Sequence, residues 1–238
     1  MERVLIFGGT TEGRKAAAAW TAKGCSVIVS VTTEYARSLL PPDTACHVGV
    51  LEEPAMLDFI RQTAPDLIVD ATHPYAVRAT ASIARCVEAL GIPCQRIQRP
   101  DSICAEDWED VQRVPSAEAA AQALLQTDGP ILLTTGSHTL SVYTAAIDPA
   151  RLYVRVLPTV QAIELCGQCG ILPSHIIAMQ GPFSQALNAA LYDQYGIRAM
   201  VTKDSGDAGG VAEKIVPALQ RNIRVILIDR PKEASHAG

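Results

Sequence analysis

Short apolar runs alternate with alanine-rich stretches along most of the chain. Apolar or β-branched runs bounded by glycine or polar residues are typical of buried parallel strands, and they predict strands at 4–7, 26–31, 67–69, 94–97, 131–134, 152–157, 176–179, 199–202 and 225–228, with a weaker one at 45–48. The intervening stretches predict helices at 11–23, 54–63, 76–90, 140–146, 160–166, 183–195 and 211–220, and one that runs from the N-cap Ser116 to 126. This alternation predicts an α/β fold of two Rossmann-like lobes, each a parallel sheet flanked by helices, with the active site in the cleft between them.

The segment 100–115 interrupts this rhythm. It has a proline at each end and contains the acidic run 106–110, which we interpret as the solvated face of a crossing between lobes. The predicted domains are a dinucleotide-binding lobe at 1–99, the crossing segment at 100–115 and a substrate-binding lobe at 116–238. Lobes of this size agree with the usual domain size of about 100–150 residues.

Composition and charge narrow the class of function. The 238 residues are 48% hydrophobic and 19% charged, which is typical of a compact globular protein. A net charge of −5 lacks the basic field that nucleic-acid binding requires. No apolar stretch is continuous enough to predict a membrane span. We therefore expect a small-molecule partner, neither nucleic acid nor membrane, and a monomer or small homo-oligomer.

The cysteines predict a reducing environment and no metal site. Their number, seven, is odd, and no secretory signal is recognisable, so we expect free thiols and a cytoplasmic location. The pair Cys166 and Cys169 has the spacing of half a zinc site, but a structural zinc ion needs four ligands and no second such pair exists.

The loop after the first predicted strand carries the strongest candidate for a dinucleotide site. In open α/β sheets, ligands bind outside the carboxyl ends of the strands, and a helix N-terminus there attracts phosphate. The candidate coenzyme-binding residues of this loop are Gly8, Gly9, Thr10, Glu12 and Gly13. Thr10 takes the place of the middle glycine of the fingerprint, where a hydroxyl either donates to a phosphate or caps the helix. A tight turn without a ligand is the alternative interpretation.

The end of the second strand normally selects the coenzyme. Glu34 lies 21 residues after Gly13, about where the ribose-binding acid of an NAD enzyme is expected. Thr32, Thr33 and Arg37 are equally suited to a 2′-phosphate. Glu34 is alternatively an ordinary acidic residue in the first turn of a helix.

Three further loops follow predicted strands and carry polar side chains. In the loop 70–75, Pro74 disfavours the α region at His73 and directs that side chain toward the site. We expect Thr72 and His73 to contact the coenzyme and His73 and Tyr75 to be catalytic, although a lone histidine is often structural. Gly136 and Ser137 follow the strand at 131–134. The loop 203–210 has the composition of an anion-binding nest, with a flexible loop as the alternative.

Taken in order, these loops resemble those of the precorrin-6A reductase family of cobalamin biosynthesis. The motifs are IFGGTTEGR at 6–14, DATHPYA at 70–76, LTTGS at 133–137, RVLP at 155–158, MQGPFS at 179–184 and TKDSG at 202–206, and the resemblance runs from about 3 to 231. It implies two Rossmann-like lobes with the site between them. It also implies reduction of one double bond of precorrin-6A, with or without cobalt in the macrocycle, to precorrin-6B.

The resemblance also implies a reduced nicotinamide coenzyme and an anionic tetrapyrrole substrate. NADPH (NADP) is the expected coenzyme, with NADH (NAD) as a close alternative because the loop 32–35 has no arginine immediately after the strand. The substrate's carboxylates call for local cations. The candidate substrate-binding residues are Arg14, Arg78, Gly136, Ser137, Arg155, Lys203, Asp204, Ser205 and Gly206, with Lys203 also a catalytic candidate. Another nicotinamide-dependent enzyme, such as a nucleotide-sugar enzyme, or a non-catalytic dinucleotide-sensing module is the alternative.

Overall fold

The chain divides into two compact units, Met1–Arg99 and Pro100–Gly238. The structure is a computed structural model and describes residues 1–97, 108–206 and 209–231. The elements of the first unit are β1 (Arg3–Phe7), α1 (Thr11–Ala22), β2 (Ser26–Val31), α2 (Glu34–Ser38), β3 (Ala45–Val48), α3 (Glu53–Thr63), β4 (Leu67–Asp70), α4 (Val77–Leu90) and β5 (Cys94–Arg96).

The first sheet is parallel, with the order β3-β2-β1-β4-β5. The chain moves outward from β1 to β3 and then returns to place β4 on the other side of β1. The crossovers therefore diverge between β1 and β4, which is the topological switch point where α/β sheets open a crevice for ligands. The loops at 8–13 and 71–76 stand at this point.

Both faces of the first sheet are covered because side chains alternate along each strand. Val4 and Ile6 belong to a cluster with the alanines of α1, whereas Leu5 and Phe7 pack with Met56 of α3 and other apolar residues of α3 and α4. The small side chains Ala16 and Ala17 are buried, which allows α1 to lie close to the sheet. This close packing positions the N-terminus of α1 beside the end of β1.

The second unit repeats the architecture with a larger sheet. Its elements are β6 (Val111–Val114), α5 (Ala117–Leu124), β7 (Ile131–Leu133), α6 (Leu140–Thr144), β8 (Leu152–Val156), α7 (Val160–Gln168), β9 (Ile176–Ala178), α8 (Gln185–Gln194), β10 (Ala199–Lys203), α9 (Val211–Leu219) and β11 (Arg224–Ile228). The parallel order is β6-β11-β10-β7-β8-β9. Its crossovers diverge between β7 and β10, so the loops that begin at 134 and 204 stand at the second switch point.

The predicted fold of two parallel-sheet α/β lobes is confirmed, with one error of organisation. Ser116 caps α5 as expected, accepting a hydrogen bond from the Ala119 N–H at 3.2 Å. Val111–Val114, inside the predicted crossing segment 100–115, is a strand that pairs with β11. Only the ends of this edge strand are apolar, so it has no continuous apolar run to reveal it. The part of that segment at 100–107 lies outside the described residues. Among the helices that the structure describes, none is long and apolar enough to span a membrane.

Candidate functional site

The two glycines that flank the β1–α1 turn approach each other closely. A Cβ at Gly8 would lie 3.3 Å from the Cα of Gly13, and a Cβ at Gly13 would lie 3.2 Å from the Cα of Gly8. A side chain at either position would push the turn away from the first turn of α1 by a few tenths of an ångström, so glycine at both positions allows the close approach. Close approach of this kind is the role of the glycines in a dinucleotide-binding turn, so the geometry fits a coenzyme phosphate.

Thr10 caps the helix. Its hydroxyl oxygen accepts a hydrogen bond from the Gly13 N–H at 3.1 Å, and its hydroxyl proton is donated to the carbonyl oxygen of Ala71 at 2.9 Å. The sequence left two roles open for this hydroxyl, a phosphate contact and a helix cap, and in the structure it is the helix cap. The same hydroxyl also connects the loop after β1 to the loop after β4. A phosphate at this turn is left to meet backbone N–H groups, with the exposed Gly9 beside it.

Arg14 and Glu12 belong to the beginning of α1. The guanidinium of Arg14 donates to the Thr11 hydroxyl at 3.1 Å, which holds the half-buried side chain against the first turn. Glu12 is the acidic residue of that turn and is half-buried. Arg14 thus lies where a cation can support an anion bound at the helix N-terminus.

The end of β2 leads into the short helix α2, which the sequence did not predict as a separate element. Thr33 caps it, accepting from the Ala36 N–H at 3.1 Å, and Glu34 in its first turn pairs with Arg37 at 3.7 Å. Thr32 is exposed. A pocket of about 350 Å³ opens here, lined by Glu34, Arg37, Ser38, Leu40, Pro41, Pro42 and Thr44.

The phosphate turn and this pocket are neighbours. A Cβ built on Gly9 would lie 3.7 Å from the Cβ of Ala36 in α2. The β1–α1 turn therefore lies beside α2, whose residues Glu34 and Arg37 line the pocket. Because both of these side chains are exposed, their ion pair is weak and leaves Arg37 able to contact a phosphate.

The loop after β4 is held by a buried ion pair. Asp70 is 3% exposed, pairs with Arg96 at 2.6 Å and accepts from the Thr72 N–H at 3.0 Å. Arg96 also donates to the Thr72 hydroxyl at 2.7 Å, and that hydroxyl lies 3.0 Å from the hydroxyl of Thr80. The backbone that leads to His73 is therefore fixed by the protein itself, an arrangement that the sequence did not reveal.

His73 and Tyr75 lie together at the switch point, as expected. The Nδ1 atom of His73 accepts from the Tyr75 N–H at 3.3 Å, and the two ring centroids are 5.7 Å apart. With Nδ1 accepting, the neutral imidazole carries its proton on Nε2 and can donate it. The side chain of Arg78, by contrast, is 93% exposed. One of its guanidinium nitrogens lies 3.8 Å from the Glu52 carboxylate.

In the second unit, the loop after β10 is built around Asp204. Its carboxylate lies 3.2 Å from a guanidinium nitrogen of Arg113 and 3.6 Å from one of Arg230, and it accepts weakly from the Gly206 N–H at 3.4 Å. The expected substrate contact Asp204 is therefore an anchor for two arginines that the sequence did not single out. Ser205 and Gly206 are buried in the same turn, and residues 207–208 of the predicted nest lie outside the described part.

The remaining predicted substrate contacts of the second unit follow β7, β8 and β10. Gly136 has a φ of +84° and, with Ser137, opens a single 3₁₀ turn after β7. Burial lowers the pKa of Lys203 at the end of β10. Arg155 on β8 is buried, and burial lowers the pKa of its guanidinium too. These residues share one end of the second sheet.

Two buried residues near Arg155 were not predicted from the sequence. Asn188 accepts from Arg155 at 2.7 Å, and Lys214 on α9 is only 7% exposed. The signal for Lys214 was present in the sequence: it follows Val211 by three residues and precedes Ala218 by four, so it lies on the apolar stripe of α9. A lysine on that stripe predicts a buried charge.

The comparisons with known proteins agree over nearly the whole chain. Residues 3–238 match the family model described as Precorrin-6x reductase CbiJ/CobK. The chain belongs to the precorrin-6x reductase family. A relative from Priestia megaterium named cobalt-precorrin-6A reductase is 36% identical over 96% of this chain and 91% of its own. A Rhodobacter capsulatus relative named precorrin-6A reductase is 28% identical over 97% and 89%.

A solved structure supports the same family. The protein named CobK precorrin-6A reductase aligns with 99% of this chain and 91% of its own, with a TM-score of 0.81 and 25% identity. Membership of the precorrin-6x reductase family makes the chain an oxidoreductase with a nicotinamide coenzyme. The expected resemblance is confirmed, while the role of each individual site residue stays a prediction.

Proposed function

We propose that this chain reduces one double bond of the precorrin-6A macrocycle to give precorrin-6B, by hydride transfer from a reduced nicotinamide nucleotide. The observation that carries the proposal is the family match over residues 3–238. That range includes the carboxyl-end loops of both sheets. The glycine turn of the first sheet and the cations of the second sheet supply the two kinds of binding that such a reaction requires.

The first unit is proposed to bind the coenzyme. In this proposal the pyrophosphate of the coenzyme lies against Gly8–Gly13 and the N-terminus of α1, and the ribose of the coenzyme lies beside α2. NADPH is the proposed coenzyme, since Arg37 lines the pocket at α2 and offers a guanidinium to a 2′-phosphate. NADH is the alternative that Glu34 would favour. When bound, the reduced nicotinamide supplies the hydride, and the protein supplies position and charge.

A proton must reach the carbon next to the one that accepts the hydride. His73 is the first candidate, because its Nδ1 is occupied by the Tyr75 N–H and its Nε2–H is the donor. Tyr75, whose ring adjoins that of His73, and Lys203 at the end of β10 are the others. General acid catalysis by a positioned side chain contributes about 10²- to 10⁴-fold to a rate.

The substrate is proposed to be the cobalt-bearing macrocycle. Identity is higher to the relative named cobalt-precorrin-6A reductase, at 36%, than to the relative named precorrin-6A reductase, at 28%. Its carboxylates are proposed to bind the cations of the second unit, Arg155 and Lys203, with Ser137 and Ser205 as hydroxyl donors.

The test is the loss of reduced-nicotinamide absorbance with each of the two coenzymes and each of the two macrocycles. We expect NADPH with cobalt-precorrin-6A to give the highest kcat/KM. Arg37→Ala should weaken NADPH binding by about tenfold, the value of one exposed charge-assisted contact, and leave NADH binding unchanged. A chain that binds coenzyme but oxidises it with neither macrocycle is a sensing module, and the proposal is then wrong.

A further inference from the structure

Two cations are buried near each other in the second unit. Arg155 on β8 and Lys214 on α9 are each 7% exposed. Asn188 on α8 connects them: its side-chain oxygen accepts from Arg155 at 2.7 Å, and its nitrogen donates at 2.9 Å to the backbone oxygen of Glu213, the residue before Lys214. The hydroxyl of Tyr192 donates to the backbone oxygen of Lys214 itself at 2.9 Å. The backbone around both cations is thus fixed by buried hydrogen bonds.

Neither cation forms an ion pair with an acidic side chain in the described parts of the second unit, although Glu213 and Asp204 are close enough to favour the charged form of Lys214. The ion pairs formed there by Asp193, Asp204 and Asp229 all involve other arginines. The neutral partners of Arg155 are the Asn188 oxygen and the ring of Phe183, whose centroid lies 4.2 Å from the guanidinium carbon. Arginine and lysine are almost never this buried without an anion, because desolvating an unpaired charge is costly.

The cluster lies at the end of the sheet where a substrate is expected. Arg155 is the penultimate residue of β8, and α8 and α9 begin at this same carboxyl end. The N-terminus of α8, capped by Ser184, adds a positive dipole to the region. A guanidinium offers several N–H donors and a lysine ammonium three, so an unpaired pair of this kind matches the oxygens of one carboxylate.

We propose that Arg155 and Lys214 form a binding site for one carboxylate of the tetrapyrrole, a proposal that rests on the proposed function. Phe183 and Asn188 hold the guanidinium in place, and Lys214 supplies the second charge. The site takes a substrate carboxylate in preference to a coenzyme phosphate, because the glycine turn of the first unit already has the geometry for phosphate.

The test compares Arg155→Met, Lys214→Met and the double variant with the wild-type chain. Both substitutions remove charge and keep an apolar side chain in a buried position. Lys23→Met, at an exposed position beyond α1, is the matched control for loss of one positive charge. Circular dichroism and thermal unfolding establish that each variant is folded, and Arg155→Lys provides a variant that keeps the charge.

Binding is measured by fluorescence without coenzyme, using the octacarboxylate uroporphyrin III and its octamethyl ester. We expect each single variant to raise the Kd of the octacarboxylate by about 10- to 100-fold and to leave the ester unaffected. The double variant should lose much less than the product of the two single losses, because both side chains hold the same carboxylate. The KM for cobalt-precorrin-6A should rise in parallel, with kcat nearly unchanged.

The other possible results show whether the carboxylate site or the proposed function is wrong. If the wild-type chain turns over the macrocycle and the variants keep its KM, the carboxylate site is wrong and the proposed function stands. If the wild-type chain turns over neither macrocycle, the proposed function is wrong. If the folded variants lose affinity for NADPH but not for the octacarboxylate, the cations bind a coenzyme phosphate and the proposal is overturned. Equal losses for acid and ester assign the pair a structural role, which also overturns it.

Discussion

The first and second sheets diverge at comparable places but present different chemistry there. At the first switch point the chain offers glycines, a helix N-terminus and a threonine whose hydroxyl is used internally. At the second it offers Lys203 at the end of β10, with the buried cations Arg155 on β8 and Lys214 on α9 near the same end of the sheet. We propose that the first arrangement recognises an anion through backbone dipoles, and the second through full side-chain charges.

The difference follows from what each ligand requires. A pyrophosphate needs close approach to the backbone, which only small residues permit, and it gains from several N–H groups at once. The carboxylates of a macrocycle are spread around its rim, so separate side chains must reach them. A chain of net charge −5 can bind such a substrate only by concentrating its cations locally.

Among the substitutions that test this difference between the two sheets, one at Gly9 is expected to have the largest effect. Gly9 is exposed with a φ of +154°, and a Cβ there would make only an ordinary contact with Ala36 at 3.7 Å. The neighbouring residues leave room for a Cβ, although a side chain at this φ strains the backbone, and the branched methyl groups of valine would cover the backbone that a phosphate approaches. We expect Gly9→Val to raise the Kd of the coenzyme at least about 100-fold, measured by calorimetric titration.

Gly24→Val is the matched control for that variant. Gly24 has a φ of +80°, lies just beyond the other end of α1 and has nothing within 4 Å of a built Cβ. Both substitutions carry a backbone cost of about 1–2 kcal/mol, but only the one at Gly9 should weaken coenzyme binding. If the folded Gly9 variant binds coenzyme as tightly as the wild-type chain, backbone recognition by the first unit is wrong.

Lys203→Met tests the second half of the comparison. Burial partly desolvates the ammonium of Lys203 and so lowers its pKa, and a bound carboxylate is worth more to a desolvated ammonium than to one in water. We expect the KM for the tetrapyrrole to rise about 10- to 100-fold, with kcat and the coenzyme Kd nearly unchanged. Lys23→Met again serves as the control.

The way in which activity is lost distinguishes the two roles predicted for Lys203. A fall confined to kcat would make Lys203 the proton donor, leaving His73 to position the coenzyme. Unchanged KM and kcat would remove Lys203 from the site and leave Arg155 as the principal cation. A weaker coenzyme Kd would mean that the second unit also binds phosphate, which breaks the comparison.

Local features of the sequence predicted the structure of the first candidate site better than that of the second. The glycine turn, its helix and the strand before it are contiguous, so spacing alone located Gly8 and Gly13. The anchoring of Asp204 depends on Arg113, 91 residues earlier, on an edge strand whose apolar pattern is too short to recognise. Pairings between distant elements leave no spacing signal, and this is why Arg113, Arg230 and the Asp70–Arg96 pair were missed.

The pH dependence of substrate binding is a further test of the second unit, with a smaller expected effect than the substitutions at Gly9 and Lys203. Burial, and then the charge of Arg155, lower the pKa of Lys214 to about 7, while Glu213 and Asp204 oppose the shift. Tyr192, which also faces this cluster, has its pKa raised by burial and stays neutral. A bound carboxylate favours charged Lys214, so substrate binding above pH 7 takes up a proton and weakens as pH rises.

We therefore expect the KM for the tetrapyrrole to increase about three- to tenfold between about pH 6.5 and 8 at saturating coenzyme. In Lys214→Met this increase should largely disappear. The coenzyme Kd, which we propose to depend on backbone groups and on an arginine, should change little over the same range. A wild-type KM that stays constant or falls over this range would show that Lys214 does not take up a proton when the carboxylate binds, and would contradict the prediction.

The smallest effect is expected from the cysteines, and it tests whether the second unit uses thiol or metal chemistry in addition to its cations. Cys166 is fully buried in α7, and burial, followed by the neighbouring Cys169, raises the pKa of its thiol. A buried thiol with a raised pKa is a poor nucleophile and a poor metal ligand. In the described residues, no group of three or more potential ligands is placed to hold a metal ion.

We expect the double variant Cys166→Ala, Cys169→Ala to keep kcat/KM within about twofold of the wild-type value and to lose about 1–2 kcal/mol of stability through lost packing. Steady-state kinetics, thermal unfolding and metal analysis of the purified chain check these three expectations. Alanine is preferred to serine at position 166, because a hydroxyl there would be buried without an assured partner. A loss of activity that added zinc restores would place a metal in the second unit and contradict anion recognition by side-chain charge alone.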